Sequence, residues 1–96
     1  MKITFVKKIL ADGTPCKKCA EVIEKMETAD HLRFIDRIVT ADEADKTSEG
    51  MVLAAKYDVN RAPFFIVEKD DGGIEIYTIY FKLVKELLND LEASKA

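Results

Sequence analysis

Residues 2–19, KITFVKKILADGTPCKKC, begin with an apolar strand pattern and end with two cysteines three positions apart. The pattern predicts a short strand over Lys2–Val6, and the cluster Asp12-Gly13-Thr14-Pro15 is typical of a break between elements. Within this cluster, Thr14 suits a helix N-cap and Pro15 suits a first helical turn. We therefore predict that the strand leads into a helix whose opening turn carries both cysteines.

The first helix is predicted over about residues 16–28, because four apolar residues recur there at helical spacing on one face. They are Cys19, Val22, Ile23 and Met26. A second strand is predicted over Leu32–Thr40. Thr40-Ala41-Asp42-Glu43 matches a capping box and predicts a second helix that reaches Tyr57, with its continuity at Gly50 left open.

The rest of the chain has the pattern of a hairpin followed by a helix. Pro63–Val67 reads as a buried strand, and Asp70-Asp71-Gly72-Gly73 as a turn into a fourth strand over Ile74–Ile79. An amphipathic helix is predicted from about Tyr80 to Leu91. Its apolar face carries Leu83, Val84, Leu87, Leu88 and Leu91.

This order, β-α-β-α-β-β-α, predicts an α/β fold in one domain over residues 1–96. Parallel strands need a crossover connection, which the first helix supplies, whereas the hairpin joins antiparallel strands. We therefore expect a four-stranded mixed sheet flanked by three helices, with helices on both of its faces.

Composition and charge exclude several function classes. The 96 residues include 15 basic and 18 acidic ones. The resulting formal net charge of -3 does not indicate a basic surface that binds nucleic acid. No apolar stretch is long enough to cross a bilayer, and the first ten residues lack a signal-peptide pattern. We expect a cytoplasmic monomer that binds neither nucleic acid nor membranes.

The chain has two cysteines, and their spacing favours redox chemistry over structural stapling. Cys16 and Cys19 would lie side by side on the first helical turn, within disulfide reach. The helix N-terminus offers partial positive charge and free N–H groups to a Cys16 thiolate. Cys19, on the apolar face, is expected to be buried and to keep its proton until it attacks. Cys16 is thus the predicted nucleophile and Cys19 the resolving thiol.

Three other interpretations remain open. The same spacing supplies half of many zinc sites, although a closed site needs about four ligands and His31 adds only one. Two chains, with or without glutathione, would be needed to complete a zinc or iron–sulfur site. In the third interpretation the protein is an adaptor in which the cysteines have no redox role. Lys17 and Lys18 are either solvated charges or a surface for an acidic partner. His31 is expected to be a solvated surface residue without a functional role.

The Cys16-to-Cys19 motif and the Ala62-Pro63-Phe64-Phe65-Ile66-Val67 strand resemble the thioredoxin-like superfamily, nearest to its small glutaredoxin-like branch. The resemblance spans nearly the whole chain and implies that the Ala62–Pro63 bond is cis and faces the cysteines. It implies that the backbone of Ala62 holds an extended substrate chain, and that Cys16 forms a mixed disulfide which Cys19 resolves.

The expected partners are a disulfide-containing protein and either a reductase or glutathione. Substrate contacts are assigned to Pro15, Lys17, Lys18, Ala62 and Pro63. No cofactor and no metal are expected, and glutathione use stays open. Glutaredoxins have a glycine pair just before the last helix, but here Gly72-Gly73 lies in the hairpin turn.

Overall fold

Four strands form one mixed, open sheet in the computed structural model, which describes residues 1–95. The strands are β1 (Lys2–Ile9), β2 (Arg37–Asp42), β3 (Phe64–Glu68) and β4 (Ile74–Tyr77). Their order across the sheet is β2-β1-β3-β4, with β1 parallel to β2 and antiparallel to β3, and β3 antiparallel to β4. The predicted α/β arrangement with a four-stranded mixed sheet is confirmed.

Three helices accompany the sheet. They are α1 (Lys17–Thr28), α2 (Glu49–Lys56) and a C-terminal helix in three consecutive segments. These segments are the α-helical turn Tyr80–Leu83, the π-helical stretch Val84–Leu88 and the α-helical end Asn89–Lys95. None of the helices within residues 1–95 is long and apolar enough to cross a membrane.

Each face of the sheet has its own apolar core, because successive strand residues point to opposite faces. On one face, Phe5 and Phe65 pack with α1 and the C-terminal helix, and their ring centroids are 5.0 Å apart. On the other face, Val6 and Phe64 pack with residues of α2. Helices therefore cover both faces, as the sequence predicts.

Gly50 explains how α2 packs so closely on the sheet. A Cβ atom at this position would lie 2.4 Å from the backbone nitrogen of Ala41 and 2.5 Å from the carbonyl of Thr40. Only a residue without a side chain permits this approach, although glycine costs about 1 kcal/mol relative to alanine inside a helix. The helix begins at Glu49, so Gly50 lies in its first turn, and the single continuous helix from the predicted capping box to Tyr57 does not form.

The predicted start of the second strand is wrong. Leu32–Phe34 form a 3-10 turn, and β2 begins only at Arg37. The main-chain N–H of Asp36 donates to the carbonyl of Ile3, and the N–H of Ile3 donates to the Asp36 carboxylate at 2.7 Å. These two hydrogen bonds determine where β2 begins to pair with β1, whereas the apolar side chains of the 3-10 turn pack in the core.

The capping box predicted at Thr40-Ala41-Asp42-Glu43 is also wrong. Its first three residues belong to β2, because β1 continues to Ile9 and pairs with β2 along that length. The helix begins after Ser48, whose hydroxyl accepts a hydrogen bond from the N–H of Asp42 at 3.0 Å. The predicted ends of two further elements move as well, since β4 stops at Tyr77 and the C-terminal helix runs to Lys95.

Candidate dithiol site

A tight turn carries the chain from β1 to the cysteines. The N–H of Leu10 donates to the carbonyl of Thr14 at 2.8 Å, and Gly13 adopts a positive φ of +88°. The hydroxyl and N–H of Thr14 both donate to the Asp12 carboxylate, and these bonds lower the pKa of Asp12. Thr14 is therefore a turn residue, and its predicted role as the helix N-cap is wrong.

Cys16 is the N-cap of α1, and Pro15 precedes the helix rather than opening it. The Sγ atom of Cys16 accepts a hydrogen bond from the N–H of Cys19 at 3.3 Å, while its own N–H donates to the carbonyl of Lys8 at 3.1 Å. Cys16 is half-buried. Its sulfur thus lies where the free N–H groups and the helix dipole favour negative charge.

Cys19 is buried one turn further along α1. Burial, followed by the hydrogen bond to Cys16, raises the pKa of Cys19 to about 12. The N–H of Lys8 donates to the Cys19 Sγ at 3.4 Å, and this hydrogen bond lowers the pKa of Cys19. The two cysteines are free thiols that lie 3.0 Å apart. The site therefore joins one accessible sulfur to one buried, protonated sulfur within reach of a bond.

Lys8 is a site residue that the sequence prediction missed. Its backbone contacts both cysteines, and its ammonium forms an ion pair with Glu43 at 3.1 Å. The predicted strand ended at Val6, and the three additional residues of β1 bring Lys8 beneath α1. A longer strand prediction through Ile9 would have found it.

Ala62 and Pro63 stand at the start of β3, and the bond between them is cis, the isomer that the resemblance implied. In the antiparallel register, Phe64 pairs with Val6, so the preceding Pro63 lies at the sheet edge where β1 continues towards the cysteines. Pro63 is buried and Ala62 is partly exposed. Both residues therefore lie at the same edge of the sheet as the dithiol.

Two open grooves are lined by three of the five residues predicted to contact the substrate, and Pro15 is not among those three. Lys18 and Pro63 line a groove of about 500 Å³ between α1 and the start of the C-terminal helix, called here the dithiol groove. Ala62 lines a second groove of about 330 Å³ with Lys8 and residues of α2. Lys17 is exposed and lines neither of these two grooves.

His31 is buried, so the prediction of a solvated residue is wrong. Its Nδ1 atom lies 2.6 Å from the hydroxyl of Tyr80, and its Nε2 atom lies 2.9 Å from the Glu92 carboxylate. His31 follows the end of α1 that is remote from Cys16. Within residues 1–95, no cluster of three or more His, Cys, Asp or Glu side chains is arranged to hold a metal ion.

Comparison of the chain with protein-family models, with curated proteins and with solved structures finds no match.

Proposed function

We propose that this protein is a thiol–disulfide oxidoreductase of thioredoxin-like fold that works through Cys16 and Cys19. The observation that carries the proposal is the unequal pair at the start of α1: a partly exposed sulfur at the N-cap, 3.0 Å from a buried thiol with a raised pKa. A nucleophilic thiol needs access, and Cys16 is partly exposed with its sulfur accepting the N–H of Cys19 at the start of α1.

The strand arrangement supports the same proposal. The sheet order β2-β1-β3-β4 with one parallel and two antiparallel pairings is compatible with a thioredoxin-like fold. The dithiol follows β1 and opens α1, which is the context in which a redox function is expected for this spacing.

In the proposed reaction, the Cys16 thiolate attacks one sulfur of a substrate disulfide. A Cys16–substrate bond forms, the substrate S–S bond breaks, and the departing sulfur leaves as a thiolate that takes a proton from water. Cys19 then loses its proton and attacks the Cys16 sulfur, which releases the second substrate thiol. Two electrons have passed to the substrate, and a Cys16–Cys19 disulfide remains for a thiol reductant, glutathione or a reductase to reduce.

Burial of Cys19 determines which of the two cysteines attacks first. A thiol with a pKa of about 12 stays protonated at neutral pH and does not compete with Cys16 for the first attack. Once Cys16 is in a mixed disulfide, the short distance between the two cysteines makes the second attack intramolecular. The proximity that the second attack needs is therefore already present in the reduced protein.

The test is a trapping reaction with a Cys19→Ser variant and hydroxyethyl disulfide, a small neutral disulfide. We expect a stable adduct on Cys16, formed at pH 7 at least about tenfold faster than the adduct of free cysteine. Cys16→Ser is the matched control, because a serine hydroxyl can still cap α1 while it cannot exchange disulfides.

An adduct rate no greater than that of free cysteine would contradict the proposal. Bound zinc or a coloured cluster in protein purified without oxygen, lost in Cys16→Ser, would instead favour a metal carrier.

A further inference from the structure

The dithiol groove runs along α1 from Lys18, the residue directly before Cys19, and neither cysteine lines it. Lys18, which lies between the cysteines in sequence, lines one end of it together with Pro63. Val22 and Lys25 continue the α1 wall, and residues around the start of the C-terminal helix form the opposite wall. Lys18 is two positions from Cys16, so a chain whose cysteine reacts with Cys16 has this groove beside it.

The wall opposite α1 exposes two large apolar side chains. Ile79 is 55% exposed and Phe81 is 72% exposed, and both line the groove. Isolated exposed apolar residues need no explanation, but adjacent ones beside a candidate reactive site mark a binding surface. Covering them would stabilise a complex by about 25 cal/mol per Å² of apolar area. The occupant should therefore present an apolar side chain to this wall.

The α1 wall of the groove carries the positive charge of two lysines. Lys18 and Lys25 line the groove, whereas no aspartate or glutamate does. Neither lysine forms an ion pair with a residue of the described chain. Glu21 and Glu24 of the same helix line a neighbouring depression, which Lys25 also lines. The positive rim contrasts with the net charge of -3 of the whole chain.

The spacing of the two lysines limits the form of the occupant. Lys25 is seven positions after Lys18, which places the two lysines about 10.5 Å apart along one face of α1 at 1.5 Å per residue. A chain in the extended polyproline II conformation covers about 9.3 Å in three residues at about 3.1 Å each, and its side chains return to the same face every third residue. Two carboxylates three positions apart would thus meet both lysines, with an apolar side chain between them directed towards Phe81.

We propose that the dithiol groove selects protein disulfides whose cysteine is flanked by an extended acidic and apolar segment. This inference rests on the proposed function, because the segment is recognised while Cys16 attacks its cysteine. The apolar contact supplies most of the affinity, while the two exposed ion pairs give charge selectivity and faster association. The partner is therefore a protein with an acidic surface segment at its disulfide.

The probes are symmetric disulfides of three synthetic peptides that differ only in the flanking segment. The first is acetyl-ELAEGC-amide, the second replaces both Glu residues by Lys, and the third replaces Leu by Ser. Each is also made with the sequence reversed, since the groove does not define chain direction. Adduct formation on Cys16 of the Cys19→Ser variant is followed by mass spectrometry. Each rate is divided by the rate of the same peptide with 2-mercaptoethanol.

We expect the acidic, apolar peptide to react about tenfold faster than the basic one, which corresponds to about 1.4 kcal/mol, and the preference to shrink in high salt. Lys25→Glu should reverse the charge preference, and Phe81→Ser should abolish the preference for Leu over Ser. Lys56→Glu is the matched control, because Lys56 lies on α2 at the opposite face of the sheet. The peptide preferences of this control should equal those of the Cys19→Ser variant alone.

Equal normalised rates for the three peptides, together with rapid reaction with hydroxyethyl disulfide, would overturn the groove assignment and leave the proposed function standing. A charge preference that Lys25→Glu and Lys56→Glu change equally would also overturn it. Failure of Cys16 to react with hydroxyethyl disulfide would remove the proposed function and this inference together.

Discussion

Cys16 and Cys19 differ chiefly in their access to water. The sulfur of each cysteine accepts one backbone N–H, but Cys16 is half-buried at the N-cap of α1, whereas Cys19 is 3% exposed. Burial disfavours the charged form of a thiol, so the folded protein keeps Cys19 protonated. The same difference makes the stability of the reduced protein depend on pH.

The reduced protein should lose stability in alkali through Cys19. In the unfolded chain this thiol deprotonates near 9.0, and in the folded protein only near 12. Between these values unfolding releases a proton, so rising pH favours the unfolded state by up to about 1.4 kcal/mol per pH unit. Urea unfolding of wild type and Cys19→Ala from pH 8 to 10.5, under reductant, should show a steeper decline for wild type. Parallel declines would contradict the assignment.

His31 shows what a sequence pattern cannot supply at the residue scale. A single histidine after a helix indicates a surface position, yet its two partners come from the C-terminal helix. Only the packing of that helix beside α1 buries the ring and places Tyr80 and Glu92 on its two nitrogens. The cysteines, by contrast, lie within one turn of each other, so their proximity follows from sequence spacing alone.

Tyr80→Phe should destabilise the fold by about 1 to 2 kcal/mol, because the Nδ1 atom of buried His31 loses its partner. Urea unfolding at neutral pH measures this loss. Tyr57→Phe is the matched control, since the Tyr57 hydroxyl forms no hydrogen bond to a residue of the described part of the chain, and it should change stability little. Equal losses in the two variants would show that the contact with His31 contributes nothing.

At the element scale, the sequence-based prediction was correct where apolar residues recur regularly over many consecutive positions. The helix expected over 16–28 is α1, and its apolar residues face the core. The second strand was misplaced because Leu32 and Phe34 carry the apolar character of a strand while forming a turn. Pairing with β1 then extended β2 across residues that match a capping box. Strand register is a contact between distant segments, and sequence pattern records it poorly.

Gly50→Ala tests the close contact between α2 and β2. Alanine would favour the helix by its propensity, but its Cβ would meet the backbone of Ala41 at 2.4 Å. We expect a net loss of about 3 kcal/mol in unfolding free energy. Gly73→Ala is the matched control, because the nearest atom to its Cβ belongs to the movable side chain of Asp71. A stabilised Gly50→Ala variant would contradict the packing described for α2.

At the scale of the whole molecule, the sheet brings together segments that are distant in sequence. β1 and β2 run parallel, and β3 runs in the opposite direction, so the end of β1 and the start of β3 meet at one edge. This edge carries the dithiol, Pro63 and the dithiol groove. The fold class and the cysteine pair were predictable, whereas the groove walls depend on how the C-terminal helix packs.

A reversible redox equilibrium between the two cysteines tests the central claim most directly. Wild type and Cys16→Ser are equilibrated in glutathione or dithiothreitol buffers, and free thiols are alkylated and counted by mass. We predict a two-electron midpoint between about -280 and -180 mV for wild type, and no such transition for Cys16→Ser. Absence of a reversible Cys16–Cys19 disulfide in wild type would contradict the account.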